Sequence, residues 1–352
     1  MINKATFELE HIRSLQKSSG SDPILIERSL YAFGLLEALV RVGMPFIFKG
    51  GTSLLLLLKH PQRLSTDIDI IVEPDIDVQD YIIKASTIFP FERYEEQIRI
   101  GRNKIVKRHF KFYYKSPMRH DEFHIILDIL YEENHYTSTV QREIKNELLI
   151  VDDDPKYYAT VPSINCILGD KLTAFAPHTT GIPIDAKKEL EIMKQLFDVA
   201  TLTDEMDDFS EVKANYRAIA KQEIEYRGLE ITYEDVLKDT IRSAACIIGK
   251  GTTDKEDFPL YMQGAKAVSN HIFREKYSGE KAAFQACKVF CLAACILTDQ
   301  DSMIKIDHPE DYINSKIALK QYTKLSYVKK LKMDAYAYLV EGSKLLAQKG
   351  IE

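Results

Sequence analysis

The apolar residues of this chain change period near residue 160, and that change limits the folds open to it. Before it, "RLSTDIDIIVEP", "IVKRHFKFYY" and "EFHIILDILY" alternate or run apolar over short lengths rich in β-branched and aromatic residues, the pattern of strands. From about Ser163 onward, "INCILGDKLTAFA", "AKKELEIMKQLFDVATL", "DVLKDTIRSAACIIG", "EKAAFQACKVFCLAACIL" and "MDAYAYLVEGSKLLAQK" repeat at helical spacing. "DDDPKYYATVPS", with two prolines and an acidic run, marks the change. A chain of 352 residues can bury two cores. The expected class is therefore α+β, with a mixed-sheet domain over 1–158 and a helical domain over 159–352.

Within the first half, Ile24 to Val42 reads as one helix stopped by Gly43. "PFIFKGG" is a short strand closing on paired glycines, and "TSLLLLLKH" is a short helix. The next strand, bounded by Pro74, places Asp67 and Asp69 on one face. A helix from Val78 to Thr87 and strands near Phe91–Ile100, Ile105–Tyr114 and Glu122–Tyr131 follow. Gly50 and Gly51 leave backbone N–H groups at the positive end of a helix, which suits phosphates, although a GG turn alone is ordinary turn chemistry. Two aspartates two apart on a strand can hold divalent ions that bridge a nucleoside triphosphate. They also interrupt a run of isoleucines, where a merely solvated strand edge would have no reason to place them.

These residues carry a resemblance. "FKGGTSLLLLLKHPQRLSTDIDIIV" resembles the signature of the AbiEii/AbiGii-type toxin branch of the nucleotidyltransferase superfamily, through Lys49, Gly50, Gly51, Thr52, Arg63, Ser65, Asp67 and Asp69. The likeness spans about Ile24 to Leu202. It implies a nucleotidyltransferase-fold lobe, catalysis by Asp67 and Asp69 with two Mg2+ ions (Mn2+ as a substitute), and NTP contacts from Lys49, Gly50, Gly51, Thr52, Ser53, Arg63 and Ser65. It also implies a third metal carboxylate on a later strand. Asp128, set among Ile126, Leu127, Ile129 and Leu130, would be costly to bury without a cation and is the expected ligand, with Glu132 or Glu133 as the alternative. Further along, Lys171 in "GDKLTAF" and Asp198 in "KQLFDVATL" match the branch's motifs, and the helical domain is expected to bring both to the cleft, Lys171 meeting the triphosphate. Gln195 stands where the branch has an acid, so any role needing a carboxylate there is lost.

The net charge of -6 argues against a protein that coats nucleic acid over its whole surface. Charge is uneven, however. From Gln97 to His120 there is no acid, while Arg99, Arg102, Lys104, Lys107, Arg108, Lys111, Lys115 and Arg119 fall inside. Alternation puts Lys107, His109, Lys111 and Tyr113 on one face, so Lys107 and Lys111 are candidate contacts to an RNA acceptor, with a solvated strand face as the plain alternative. Lys316, Lys320 and Lys324, four apart, would form a second basic ridge on a helix. The resemblance implies a toxin of a toxin–antitoxin or phage-defence system that adds nucleotides to RNA, with the tRNA 3′ end as acceptor and an antitoxin as partner. Nucleotidyl or phosphoryl transfer to a protein hydroxyl, and a non-catalytic nucleotide- or antitoxin-binding module, stay open as alternatives. Five scattered cysteines suit reduced core thiols, with Cys287, Cys291 and Cys295 lacking the histidine or CxxC partner a metal site needs. No apolar run reaches the roughly 18 residues of a membrane span, and the charged N-terminus lacks a signal peptide's apolar stretch, so a cytoplasmic protein without membrane contact is expected.

Overall fold

The computed structural model describes residues 1–97 and 106–351. Arg99, Arg102 and Lys104 of the basic run, and the end of the strand expected near Phe91–Ile100, lie outside the described residues. The chain divides into two compact units, one of Met1–Ser163 with Asn270–Lys276, the other of Ile164–Ser269 with Tyr277–Glu352.

The first unit runs α1 (Leu9–Ser19), α2 (Pro23–Arg41), β1 (Ile47–Lys49), α3 (Gly50–Leu57), β2 (Ile68–Val72), α4 (Gln79–Ala85), β3 (Arg93–Gln97), β4 (Val106–Lys115), β5 (Glu122–Tyr131), β6 (Thr139–Glu143) and β7 (Tyr158–Pro162). Helix α2 starts where the Asp22 side chain accepts from the Ile24 N–H and Pro23 supplies the first helical residue. Past its end, Gly43 takes a positive φ of 73°. The main sheet has the order β1-β2-β5-β4-β3, with β2 and β5 parallel and the other neighbours antiparallel. This makes the class α+β with a mixed sheet.

One face of that sheet is dry. Ile68, Phe110, Phe112, Tyr114, Ile125 and Leu127 are fully buried, and Ile70 and Ile129 nearly so. α2 is buried along most of its length, and its Glu27, wholly enclosed, accepts from Tyr114 Oη (3.0 Å), Ser116 Oγ (3.0 Å) and the Met118 N–H (3.1 Å). Three donors satisfy a carboxylate that would otherwise be costly to bury. β6 and β7 form a separate antiparallel pair, so Tyr158–Pro162, inside the segment expected to mark the domain boundary, is a strand.

The second unit is helical: α5 (Ile164–Ala174), α6 (Glu189–Glu205), α7 (Phe209–Arg227), α8 (Tyr233–Ile248), α9 (Phe258–Val268), α10 (Gly279–Leu297) and α11 (Met333–Gln348). α10 is its core element, and Cys287, Cys291 and Cys295 on it are free thiols and fully buried. The expected Lys316–Lys320–Lys324 ridge does not form. Lys316 precedes the helix, and Lys320–Lys330 is a 3-10 helix, in which residues three apart eclipse and residues four apart diverge. Its buried residues, Leu325 and Val328, follow that period of three.

Candidate functional site

The register of the main sheet aligns one residue from each strand. Lys49 on β1 is opposite Asp69 on β2, Asp69 is opposite Asp128 on β5, Asp128 is opposite His109 on β4, and His109 is opposite Gln97 on β3. Directly opposed residues share a face, so these five side chains stand in one row on the face away from the dry core. Strand sequence explains the placement. In β5 the alternation buries Ile125, Leu127 and Ile129 and leaves Ile126, Asp128 and Leu130 half-buried. Asp128 is therefore not enclosed among apolar residues as expected; its side chain is 35% exposed, because only one face of β5 is dry.

Asp67 lies just before β2. Its carbonyl accepts from Thr52 Oγ1 at 2.6 Å, and its Oδ1 accepts from Arg28 Nη2 at 3.1 Å, with the carboxylate 44% exposed. The paired glycines are forced by close approach. Gly50 has φ +80°, and a Cβ there would overlap the Asp69 carboxylate, 2.9 Å from its Cγ; a Cβ on Gly51 would meet Arg63 Nη2 at 2.5 Å and Ser65 Oγ at 2.9 Å. Only glycine admits both approaches. Ser53 Oγ donates to the Gly50 carbonyl at 2.8 Å, and Ser29 Oγ on α2 donates to the Ser65 carbonyl at 2.8 Å. Arg63 is buried, with Nη1 on the Leu64 carbonyl at 3.3 Å. Its backbone is held by the returning segment Asn270–Lys276: Arg63 bridges Ile272, and the Leu64 N–H donates to the His271 carbonyl at 2.7 Å. Lys49 Nζ lies 6.0 Å from the ring centre of Tyr136. The signature residues from Lys49 to Asp69 thus form one cluster, joined by Asp128.

Two residues here were not singled out from sequence as site partners. Arg28 holds Asp67, and His109 Nδ1 sits 2.5 Å from Asp128 Oδ1. Among the described residues no three His, Cys, Asp or Glu side chains converge on one point. The donor set still suits a hard divalent cation: Asp69 and Asp128 are directly opposed carboxylates on adjacent strands, and glycine at position 50 keeps a Cβ off the Asp69 oxygen. Glu132, the alternative, follows the end of β5 and is buried.

Lys107 is exposed and Lys111 half-buried on the same face of β4 as His109. On this face the His124 imidazole is held below its ordinary value by burial first, then by the nearby Lys111 and Arg28 charges. In the helical unit, Lys171 Nζ pairs with Asp198 Oδ2 at 3.3 Å, and both are buried. Gln195, one turn earlier on α6, is buried, its Oε1 without a hydrogen-bond partner among the described residues, and Lys194 pairs with Glu191.

Two solved structures resemble the chain in shape: JHP933 from Helicobacter pylori, at TM-score 0.44 and 14% identity over 78% of this chain and 93% of that one, and a candidate nucleotidyltransferase from H. pylori, at TM-score 0.44 and 14% identity over 79% and 99%. No curated protein matches by sequence. No helix among the described residues is long and apolar enough to cross a membrane. The family model described as nucleotidyl transferase AbiEii toxin, Type IV TA system, matches residues 35–279, which is more than half of the chain and includes every signature residue from Lys49 to Asp198. The chain belongs to that family of nucleotidyltransferase toxins.

Proposed function

We propose that this protein transfers a nucleotide from an NTP to an RNA hydroxyl, most simply at a tRNA 3′ end, with Asp67, Asp69 and Asp128 as the carboxylates that hold Mg2+. The observation that carries the reading is the register that sets Asp69 directly beside Asp128, two residues after Asp67. Asp67, Asp69 and Asp128 would hold the Mg2+, which would supply positive charge to offset the charge that develops on the departing pyrophosphate.

The chain's own residues bind and orient. The N–H groups at the start of α3 lack intrahelical acceptors and face phosphate chemistry favourably, while Lys49, Thr52, Ser53, Arg63 and Ser65 surround the same turn. The acceptor hydroxyl oxygen bonds to the α-phosphorus as the bond to pyrophosphate breaks, and the hydroxyl proton is released to solvent. Lys107 and Lys111, on the face that carries Asp128, would meet acceptor phosphates. Lys171, fixed against Asp198, is assigned to the triphosphate by the family motif alone. As a toxin of a type IV system the protein would act in the cytoplasm, be neutralised by a cognate antitoxin and serve phage defence.

The test is to incubate purified protein and Mg2+ with each labelled NTP in turn, beside total RNA and total protein. Label on RNA that depends on Mg2+ and disappears in Asp67→Ala supports the reading. Label on protein would shift the acceptor to a side-chain hydroxyl. Absence of label from both, with intact nucleotide binding, would leave a binding module.

A further inference from the structure

We infer that His109 is a positioning residue, whose Nδ1–H fixes the carboxylate of Asp128 so that its other oxygen is presented to a cation shared with Asp69. The inference rests on the metal reading above and adds to it a residue that the motif does not contain.

Three observations converge on it. His109 and Asp128 are directly opposed across β4 and β5, where neighbouring Cβ atoms are about 5 Å apart. The imidazole Nδ1 lies 2.5 Å from Asp128 Oδ1, and the His109 side chain is only 12% exposed, so the contact is enclosed on the His109 side. Asp128 is in turn directly opposed to Asp69, which places the histidine behind one carboxylate and the second carboxylate in front of it.

The chemistry favours an imidazole at this position. An ionised carboxylate only accepts, so the nitrogen facing it must carry hydrogen, which fixes Nδ1 as the donor. Nδ1 sits close to the β-carbon, and the short side chain has two rotatable bonds, so little freedom is lost in holding the carboxylate. Contrast Asp67, just before β2. Arg28 places a permanent positive charge on Asp67 and competes with a cation for that oxygen. An imidazole can donate through Nδ1 in its neutral form, so it can orient the carboxylate without cancelling its charge. Ligating carboxylates and histidines are commonly held by such outer partners, whose loss costs about 10–100-fold in metal affinity.

The experiment measures Mn2+ binding to the full-length protein by electron paramagnetic resonance, for wild type, His109→Ala and His109→Asn, each checked for folding by circular dichroism. Asn carries an amide N–H near the place of Nδ1. His109→Ala is expected to weaken Mn2+ binding by about 10–100-fold, with His109→Asn close to wild type. Wild-type affinity in His109→Ala, or equal loss in both variants, would overturn the positioning role and leave the metal site standing. If wild type binds no Mn2+, both the site and the inference fall. Imidazole 15N spectra of the wild-type protein decide independently of any variant's folding: a protonated Nδ1 is required, and an unprotonated one refutes the inference.

Discussion

The carboxylates of the sheet and those of the helical unit are held in opposite ways. Asp67 and Asp128 are 44% and 35% exposed, the first held by Arg28 and the second by His109. Asp198 is 1% exposed against a Lys171 that is 10% exposed, and Asp239 is 5% exposed against His178. A half-solvated charge can lose its partner to water at small cost, whereas an enclosed charge left alone pays its full desolvation. Removing the first kind should therefore appear in activity, and removing the second in stability.

Asp69→Ala gives the widest separation. Nucleotide transfer should fall by several orders of magnitude while the thermal midpoint stays near that of wild type, since Asp69 stands on the open face of β2. Comparing single-turnover rates with melting curves checks both halves, and full activity in the variant would end the metal assignment. Asp198→Ala is expected to do the reverse in degree. It strands a buried ammonium, at a cost of about 3–5 kcal/mol, and should lower the denaturation midpoint of the helical unit whatever it does to transfer. A midpoint unchanged in denaturant would show that Lys171 finds water or another partner.

Gly50→Ala sharpens the comparison from the backbone side. Forcing an alanine to φ +80° costs about 1–2 kcal/mol, and the new Cβ must displace the Asp69 carboxylate. Transfer should therefore drop far more than that modest stability loss accounts for. Equal, small losses in both would mean the glycine serves only the turn. Next in size is the acceptor face. Lys107→Glu with Lys111→Glu should weaken RNA binding and reduce the slope of log affinity against log salt by about 0.7 for each phosphate that the protein no longer neutralises, leaving NTP affinity intact. Identical slopes would return these lysines to a solvated strand face.

How much of this was legible in sequence follows from the range of each interaction. The strand, paired glycines, helix and Asp-x-Asp strand were readable because they are contiguous and their special residues are few. Arg28 was not, because it meets Asp67 from 39 positions away and resembles any charged residue of an amphipathic helix. His109 was counted as one member of a basic face, since only the β4–β5 register reveals Asp128 beside it. The β6–β7 pair and the return of Asn270–Lys276 beside Arg63 are likewise non-local pairings that leave no periodic mark. The 3-10 helix could have been found: Tyr322, Leu325 and Val328 are spaced by three, whereas the lysines alone suggested four.

The smallest effect expected concerns the other enclosed charge of the helical unit. His178 follows α5 and lies between two carboxylates, with Nδ1 2.9 Å from Asp239 on α8 and Nε2 2.8 Å from Asp257 at the start of α9. Thr179 Oγ1 and the His178 N–H also donate to Asp239, and Ser243 faces it from the same helix. The hydrogen bond that the imidazole donates to Asp239, reinforced by the charges of Asp239 and Asp257, raises the imidazole above its ordinary value near 6.5 against the opposing effects of burial and Arg242. A proton held more tightly in the folded chain than in the unfolded one adds stability that is complete below 6.5 and disappears as pH rises through the folded value. The denaturation midpoint should therefore decline between pH 6.5 and the folded value, and His178→Gln should flatten that decline while keeping a donor to one carboxylate. Denaturant titrations from about pH 5.5 to about pH 8.5, read through helical circular dichroism, measure the difference. A variant with the same pH profile as wild type would show that the two aspartates, and not the proton on His178, hold α8 and α9 to the segment after α5.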